Sequence, residues 1–274
     1  MCHGVLIAKK DKQAMSDKPV VDLAVDGHVA TIYLNRPDSL NAFNRQMRTE
    51  LLASFTQVAA MPTIRVVVLA ARGRGFSSGA DLTEGLMPGQ TVERQILDEY
   101  GPILRLIETM DQTVIAAIPG VMAGIGAAIA MHCDLSVMAN NAGMVMAFSN
   151  VGLVPDGGAS WNLLRRLGYQ RSFQLLAEGG KLDAAGCLEV GLVTKLADAD
   201  KVLETAQEWA GLLAVRAPIA LRETKSLLRN AATQSFNETV AGEAKAQNVC
   251  LASEDSAEAI AAFMAKRSPV FKGR

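Results

Sequence analysis

The chain has 274 residues, 50% of them hydrophobic, which is enough to bury a sizeable core in one or two domains. Its 27 Lys and Arg stand against 28 Asp and Glu, so there is no overall basic field to attract nucleic acid or an acidic membrane surface. Four widely spaced cysteines (Cys2, Cys133, Cys187, Cys250), with no CxxC and no His at metal spacing, read as free thiols in a reducing cytosol rather than a disulfide framework or a metal site.

The N-terminus has one short apolar run and then charges, without the long apolar stretch of a signal peptide, and no segment approaches a membrane span. Met15 opens "MSDKPVVDLAVDGHVATIYL", which reads like a natural start. Residues 1–14 are therefore expected to be a disordered extension, and the expected location is cytoplasmic. The segment Val29 to Leu34 alternates at period two, as a half-buried strand does. Ile64 to Ala70, Thr113 to Ile118, Leu135 to Ala139 and Met144 to Phe148 are short apolar runs bounded by Gly, Pro or Asn, and read as mostly buried strands. Helical patterns fill Ala42 to Ala59, Thr91 to Met110 and Ile125 to His132 between them.

This alternation predicts an α/β core with helices covering a sheet. After Pro155 the strand signal fades. Helices are expected over Asp183 to Glu189, Asp200 to Val215, Ile219 to Asn230, Ser235 to Ala252 and Asp255 to Lys266. The domain expectation is an α/β core over 15–200 and a helical region over 201–274.

Two glycine-bearing turns carry the chemistry. "RGRGFSSGADL" (Arg72 to Leu82) follows the strand ending near Ala70, and its small residues let another molecule approach the backbone. In "AAIPGVMAGIGAAIAMHCDL" (Ala116 to Leu135) a strand passes Gly120, Gly124 and Gly126 into a helix whose first N–H groups lack internal partners. Two such turns can aim N–H groups at one oxygen, forming an oxyanion hole. "GVMAGIG" contains G-x-G but lacks the full dinucleotide fingerprint and its acidic partner, which argues against NAD.

Together with "IYLNRPDSLNAF", "FSNVGLVPDGGASWNLLRRLG", "APIALRETKSLL" and "FMAKRSPVFKG", these turns resemble the crotonase (enoyl-CoA hydratase/isomerase) superfamily from about Val21 to Phe271. The resemblance implies a spiral of ββα turns with a C-terminal helical trimerisation region, assembled as trimers or hexamers. It implies an acyl-CoA substrate, with coenzyme A as part of that substrate and no separate cofactor or metal. Ala80 N–H and Ile125 N–H would hold the thioester oxygen, although the family usually has Gly where Ile125 stands. Ser39 and Leu40 would hold the adenine and pantetheine arm. Ser78, Asp81, Leu82, Gly124, Phe148 and Trp161 would surround the substrate, with Asp81 and Asp134 fixing turns. Arg72, Arg74, Lys266, Arg267 and Lys272 are candidates for the phosphates.

Typical hydratases of the superfamily carry two glutamates, because water addition needs one group to activate water and another to deliver a proton. The matching positions here are Ala128 and Phe148, neither of which moves a proton. The remaining carboxylate, Asp156 in "GLVPDGG", matches the acid of the isomerase branches, the ring-epoxide type in particular. As sole acid/base it would shift a double bond from 3-enoyl to 2-enoyl or isomerise a ring-epoxide CoA ester. In apolar surroundings supplied by Phe148 and Trp161 its pKa would rise. The alternatives are a hydratase using Glu84 or Asp156, dehalogenase-like attack by Asp156, and an acyl-CoA binder in which Asp156 only caps a turn. His132 reads as a core histidine.

Overall fold

The computed structural model describes residues 18–274. The expected extension 1–14, the start at Met15 and Cys2 lie outside the described residues. The first half of the chain forms β1 (Val21–Asp26), β2 (Val29–Leu34), α1 (Arg45–Ala59), β3 (Val66–Ala71), α2 (Val92–Gln95), a π turn (Ile96–Tyr100), α3 (Gly101–Thr109), β4 (Thr113–Ile118), β5 (Met122–Ala123) and α4 (Gly124–His132). There follow β6 (Leu135–Ala139), β7 (Gly143–Val145), α5 (Ala159–Ala177), β8 (Lys181–Asp183), α6 (Ala184–Glu189) and β9 (Lys195–Ala197). The chain closes with α7 (Val202–Ala214), α8 (Pro218–Ala231), α9 (Phe236–Leu251) and α10 (Glu254–Met264).

The strands form two sheets. One has six strands in the order β1-β2-β3-β4-β6-β9, parallel except for the β1/β2 hairpin. The other is β5-β7-β8, and isolated parallel bridges Phe43–Ala80 and Ser77–Met122 carry its pairing back into the loops after β2 and β3. Each ββα turn thus adds one strand to the large sheet and one extended segment to the small one, the crotonase spiral. The interior strands are buried along nearly their whole length, as parallel strands covered on both faces must be.

Two expectations change here. Val29 to Leu34 is not half-buried: β2 lies between β1 and β3, and Thr31 is buried and accepts from Gln207 Nε2 of α7. The run expected as a strand to Phe148 stops at Val145, because Phe148 is helical (φ −58°, ψ −46°) and opens a 3-10 turn.

The strand signal fades after Pro155 because β8 and β9 have only three residues each. Helix α5 also escapes the pattern: Gly168 (φ 73°, ψ 174°) breaks its periodicity in the middle. Helix α7 packs across β2, β3, β4 and β6, so residues 202–214 cover the core sheet, whereas α9 packs only on α8 and α10 among the principal contacts. Asp134 ties α8 to the sheet, accepting from Lys225 Nζ (2.9 Å), Arg229 Nη2 (3.0 Å) and Val114 N–H (2.9 Å).

Candidate active site

The two glycine turns meet at the C-terminal ends of β3 and β4. They are joined by backbone bonds: Phe76 N–H and Ser77 N–H donate to Val121 O, and Ala123 N–H donates to Ser77 O. Ser77, fully buried, shapes the first turn by donating its hydroxyl to Asn41 O and accepting Gly79 N–H at 3.1 Å. Phe43 N–H donates to Gly79 O and Asp81 N–H to Phe43 O, so by strand alternation the Ala80 N–H points away from Phe43. Among the described residues it has no acceptor. Ile125 N–H lies in the first turn of α4, where N–H groups have no intrahelical partner and the dipole favours negative charge.

The turns approach closely because Gly79 (φ +97°) and Gly124 (φ +50°) face each other. A Cβ on Gly79 would stand 3.1 Å from Ala123 O and 3.7 Å from Gly124 Cα. Phe148 closes this corner, its ring 3.8 Å from where a Gly124 Cβ would sit. Two unpaired, preorganised donors flanking an apolar ring can polarise a carbonyl and hold the enolate made from it.

The segment bearing Asp156 runs over α4. A Cβ on Gly157 would stand 2.2 Å from Ile125 Cδ1 and 3.0 Å from Ala128 Cβ, and one on Gly158 would lie 3.0 Å from His132 Cε1. Asp156 therefore sits at the Ile125 end of the helix, and the two positions where hydratases hold glutamates are occupied by Ala128 and Phe148, both buried. Its carbonyl accepts Ala159 N–H, while carboxylate Oδ1 is buried with no partner. Burial pushes the Asp156 carboxyl up to about 6.

Of the other site residues, Leu40 (φ 48°) accepts Ser78 N–H at 2.9 Å, and Ser78 Oγ donates to Ser39 O at 3.3 Å. Ser39, Leu40 and Ser78 therefore form one edge beside Ala80. Arg72 and Arg74 flank it, since Gly73 packs against Pro37. Leu82 is exposed. Asp81 pairs with Arg36 at 3.1 Å and accepts from Thr83; although burial opposes it, these contacts hold the carboxyl below the usual range, so it fixes the turn.

Glu84 accepts from Arg45 N–H (2.6 Å) and Arg48 Nη2 (2.9 Å), which leaves it tied to the start of α1 rather than free as an acid. Trp161 lies under the Arg165 guanidinium (3.8 Å) and lines a cavity of about 660 Å³ with His132, Gly158 and Arg229; neither Ala80, Ile125 nor Asp156 lines it. Lys272 lines a different cavity with Arg65 and Gln112, which precede β3 and β4. It is therefore about 20 Å along the strands from the turns of its own chain.

His132 accepts from Asn162 Nδ2 at 3.2 Å, and burial with nearby Arg229 lowers its pKa. The thiols Cys133, Cys187 and Cys250 are free, and burial pushes Cys133 to about 12 and Cys187 to about 11, so neither is a nucleophile at neutral pH. Among the described residues no His, Cys, Asp or Glu side chains gather as a metal site, and no helix is long and apolar enough to cross a membrane.

Two roles escaped the sequence reading: that of Asn41, and that of Ser77 beyond its small size; the segment Leu82 to Tyr100 was expected to shape the acyl pocket. Asn41 (φ 54°) donates to Arg72 O and Gly75 O, pinning one turn to the next. An Asn before "AF" in a tight turn is the signal that could have found it.

A ββα spiral presenting two free backbone donors and a half-buried acid near them defines the crotonase class of thioester enzymes. The profile for Enoyl-CoA hydratase/isomerase matches residues 25–274, and the chain belongs to that family. Among similar proteins, the 1,2-epoxyphenylacetyl-CoA isomerase of Escherichia coli K12 is 36% identical over 91% of this chain and 97% of its own. The 2,3-dehydroadipyl-CoA hydratase of the same strain is 30% identical over 90% and 96%. A solved enoyl-CoA hydratase from Polaromonas sp. JS666 superposes with a TM-score of 0.87 at 32% identity, covering 92% of this chain and 99% of that one.

Proposed function

We propose that the protein isomerises an unsaturated or ring-epoxide acyl-CoA thioester through an enolate, with Asp156 as the only acid/base. The observation that carries this reading is the Asp156 carboxylate: half-buried, with Oδ1 out of solvent and unpartnered, poised at about 6, and next to the Ile125 end of α4. A carboxylate with that pKa removes a proton beside a polarised carbonyl and returns it further along the chain, because both protonation states are accessible near neutrality. The thioester oxygen gains negative charge as the C–H bond breaks, and Ala80 N–H and Ile125 N–H stabilise it. Ser39, Leu40 and Ser78 support the coenzyme A arm. No separate cofactor takes part in these steps.

Hydration needs two proton-handling groups, and Ala128, Phe148 and the committed Glu84 supply none. The similarity to an epoxide-CoA isomerase favours the same reading. The test is turnover of 3-hexenoyl-CoA and 2-hexenoyl-CoA, offered separately and followed by conjugated thioester absorbance. A rise with the 3-enoyl substrate is expected. Loss of absorbance with the 2-enoyl substrate would install the hydratase instead.

A homotrimer or hexamer is part of the proposal. It is supported by the exposed apolar side chains Phe236, Leu251, Ile260, Phe263 and Met264 on α9 and α10. Sedimentation at micromolar concentration should give a trimer or hexamer mass, and Phe263→Asp should shift it toward the monomer; a wild-type monomer would remove this part.

A further inference from the structure

Tyr100 ends the π turn between α2 and α3, a helix irregularity that frequently marks functional sites. Its ring lies edge-on to Phe43 (centroids 6.1 Å apart), the residue that pairs with Ala80 in the first oxyanion turn. Helix α3, which it begins, packs on α4, the helix that carries Ile125. The residue is 2% exposed and its hydroxyl is buried with no acceptor for its proton, the Arg48 guanidinium that bears on its oxygen being a donor.

No surrounding group stands in geometry to accept the Tyr100 hydroxyl proton. Arg48, 5.3 Å over the ring, has only donors, three of which go to Glu99, Phe43 O and Glu84. Glu84 and Glu99 are turned to other donors: Arg45 N–H takes the other Glu84 oxygen and Gln90 Nε2 the other Glu99 oxygen, and the Tyr100 hydroxyl bonds to neither. Burial raises the phenol's pKa most, the Arg48 guanidinium opposes it, and the negative charge of Asp156, whose Oδ1 is also orphaned, raises it further. At about 12 the phenol is a neutral donor at any working pH. A buried donor left without an acceptor, packed against the first oxyanion turn through Phe43, is matched to a ligand that brings oxygen.

We propose that the Tyr100 hydroxyl donates a hydrogen bond to an oxygen on the acyl group, so that the site selects oxygen-bearing ring acyl thioesters over plain alkenyl or aryl ones. This rests on the reading that Ala80, Ile125 and Asp156 receive the thioester, and it narrows the substrate class. It predicts binding of an oxygenated ring independently of turnover.

The test is calorimetric binding of phenylacetyl-CoA, 2-hydroxyphenylacetyl-CoA and 2-methylphenylacetyl-CoA to the wild-type chain and to Tyr100→Phe. The wild type should favour the hydroxylated ligand about tenfold, the worth of one neutral hydrogen bond. The methylated ligand, equal in bulk, should gain nothing, and Tyr100→Phe should bind all three alike. Equal affinities in the wild type, or a preference that survives in Tyr100→Phe, would overturn the proposal. The wild-type comparison stands even if the variant fails to fold.

Direct contact of Tyr100 with Asp156 would instead move the pH midpoint of 3-hexenoyl-CoA turnover in Tyr100→Phe away from that of the wild type, and that result would also overturn it. Failure of the isomerase reading appears separately, as absent turnover with the ligand preference intact.

Discussion

Asp156→Asn should lower kcat for 3-enoyl-CoA isomerisation by about 10³- to 10⁴-fold while changing KM by no more than roughly threefold. The amide keeps the shape of the turn but can neither take the proton at carbon 2 nor return one at carbon 4. No neighbouring group can substitute, since Ala128 and Phe148 are apolar and Glu84 is committed to α1. In the wild type the working base is the ionised carboxylate. Activity should therefore be low in acid and rise to a plateau as pH passes about 6. A flat profile between pH 5 and 8, or a variant retaining a tenth of the activity, would show that another group moves the proton.

The same substitution should stabilise the fold in a pH-dependent way. The folded carboxyl titrates near 6, above its ordinary 3.8, so between these values the folded state binds more protons than the unfolded one and stability falls as pH rises. Asn removes that penalty. Asp156→Asn should melt later than the wild type at pH 8, by on the order of 1–3 kcal/mol, and the gain should vanish near pH 4. Calorimetric melting at the two pH values measures it. A gain that is equal at both would mean the carboxyl is not strained by burial.

The large sheet was legible because parallel strands buried on both faces write unbroken apolar runs; β3, β4 and β6 fall where those runs lie, while β2 was found by its alternation although it is buried on both faces. Three-residue strands such as β8 and β9 bury too little to leave such a run, and β1 is an edge strand with acidic residues on its open side. The turns were legible as glycine spacing, but what holds them was not. Ser77 and Asn41 act through hydrogen bonds to backbone atoms more than thirty residues away, which no local pattern encodes. Trp161 shows the limit of proximity in sequence. Five residues from Asp156, it turns with α5 into a cavity beside His132 and Arg229. Lys272 shows the limit of motif transfer: its distance from Ser39 is a matter of which end of a strand the tail reaches.

Gly120→Ala should cost more stability than any other single methyl added to the glycines of the two turns. The added Cβ would stand 2.1 Å from Arg74 O, 3.0 Å from Arg74 C and 3.1 Å from Gly75 Cα, all backbone atoms with no rotamer to yield. The clash falls on the seam where Phe76 and Ser77 N–H meet Val121 O, the same bonds that hold Ala80 and Ile125 side by side. Overpacking a flexible core typically costs 1–3 kcal/mol, so against fixed backbone the cost should exceed about 3 kcal/mol and lower the melting temperature by roughly 10 °C. Activity should fall further than stability at 25 °C explains, because parting the seam separates the two donors. Gly211→Ala is the matched control: its Cβ meets nothing within 4 Å on α7, and it should stabilise by about 0.5–1 kcal/mol with unchanged turnover. If Gly120→Ala melts with the wild type and keeps its kcat, the two turns do not depend on that seam, and the oxyanion hole must be held from α4 alone.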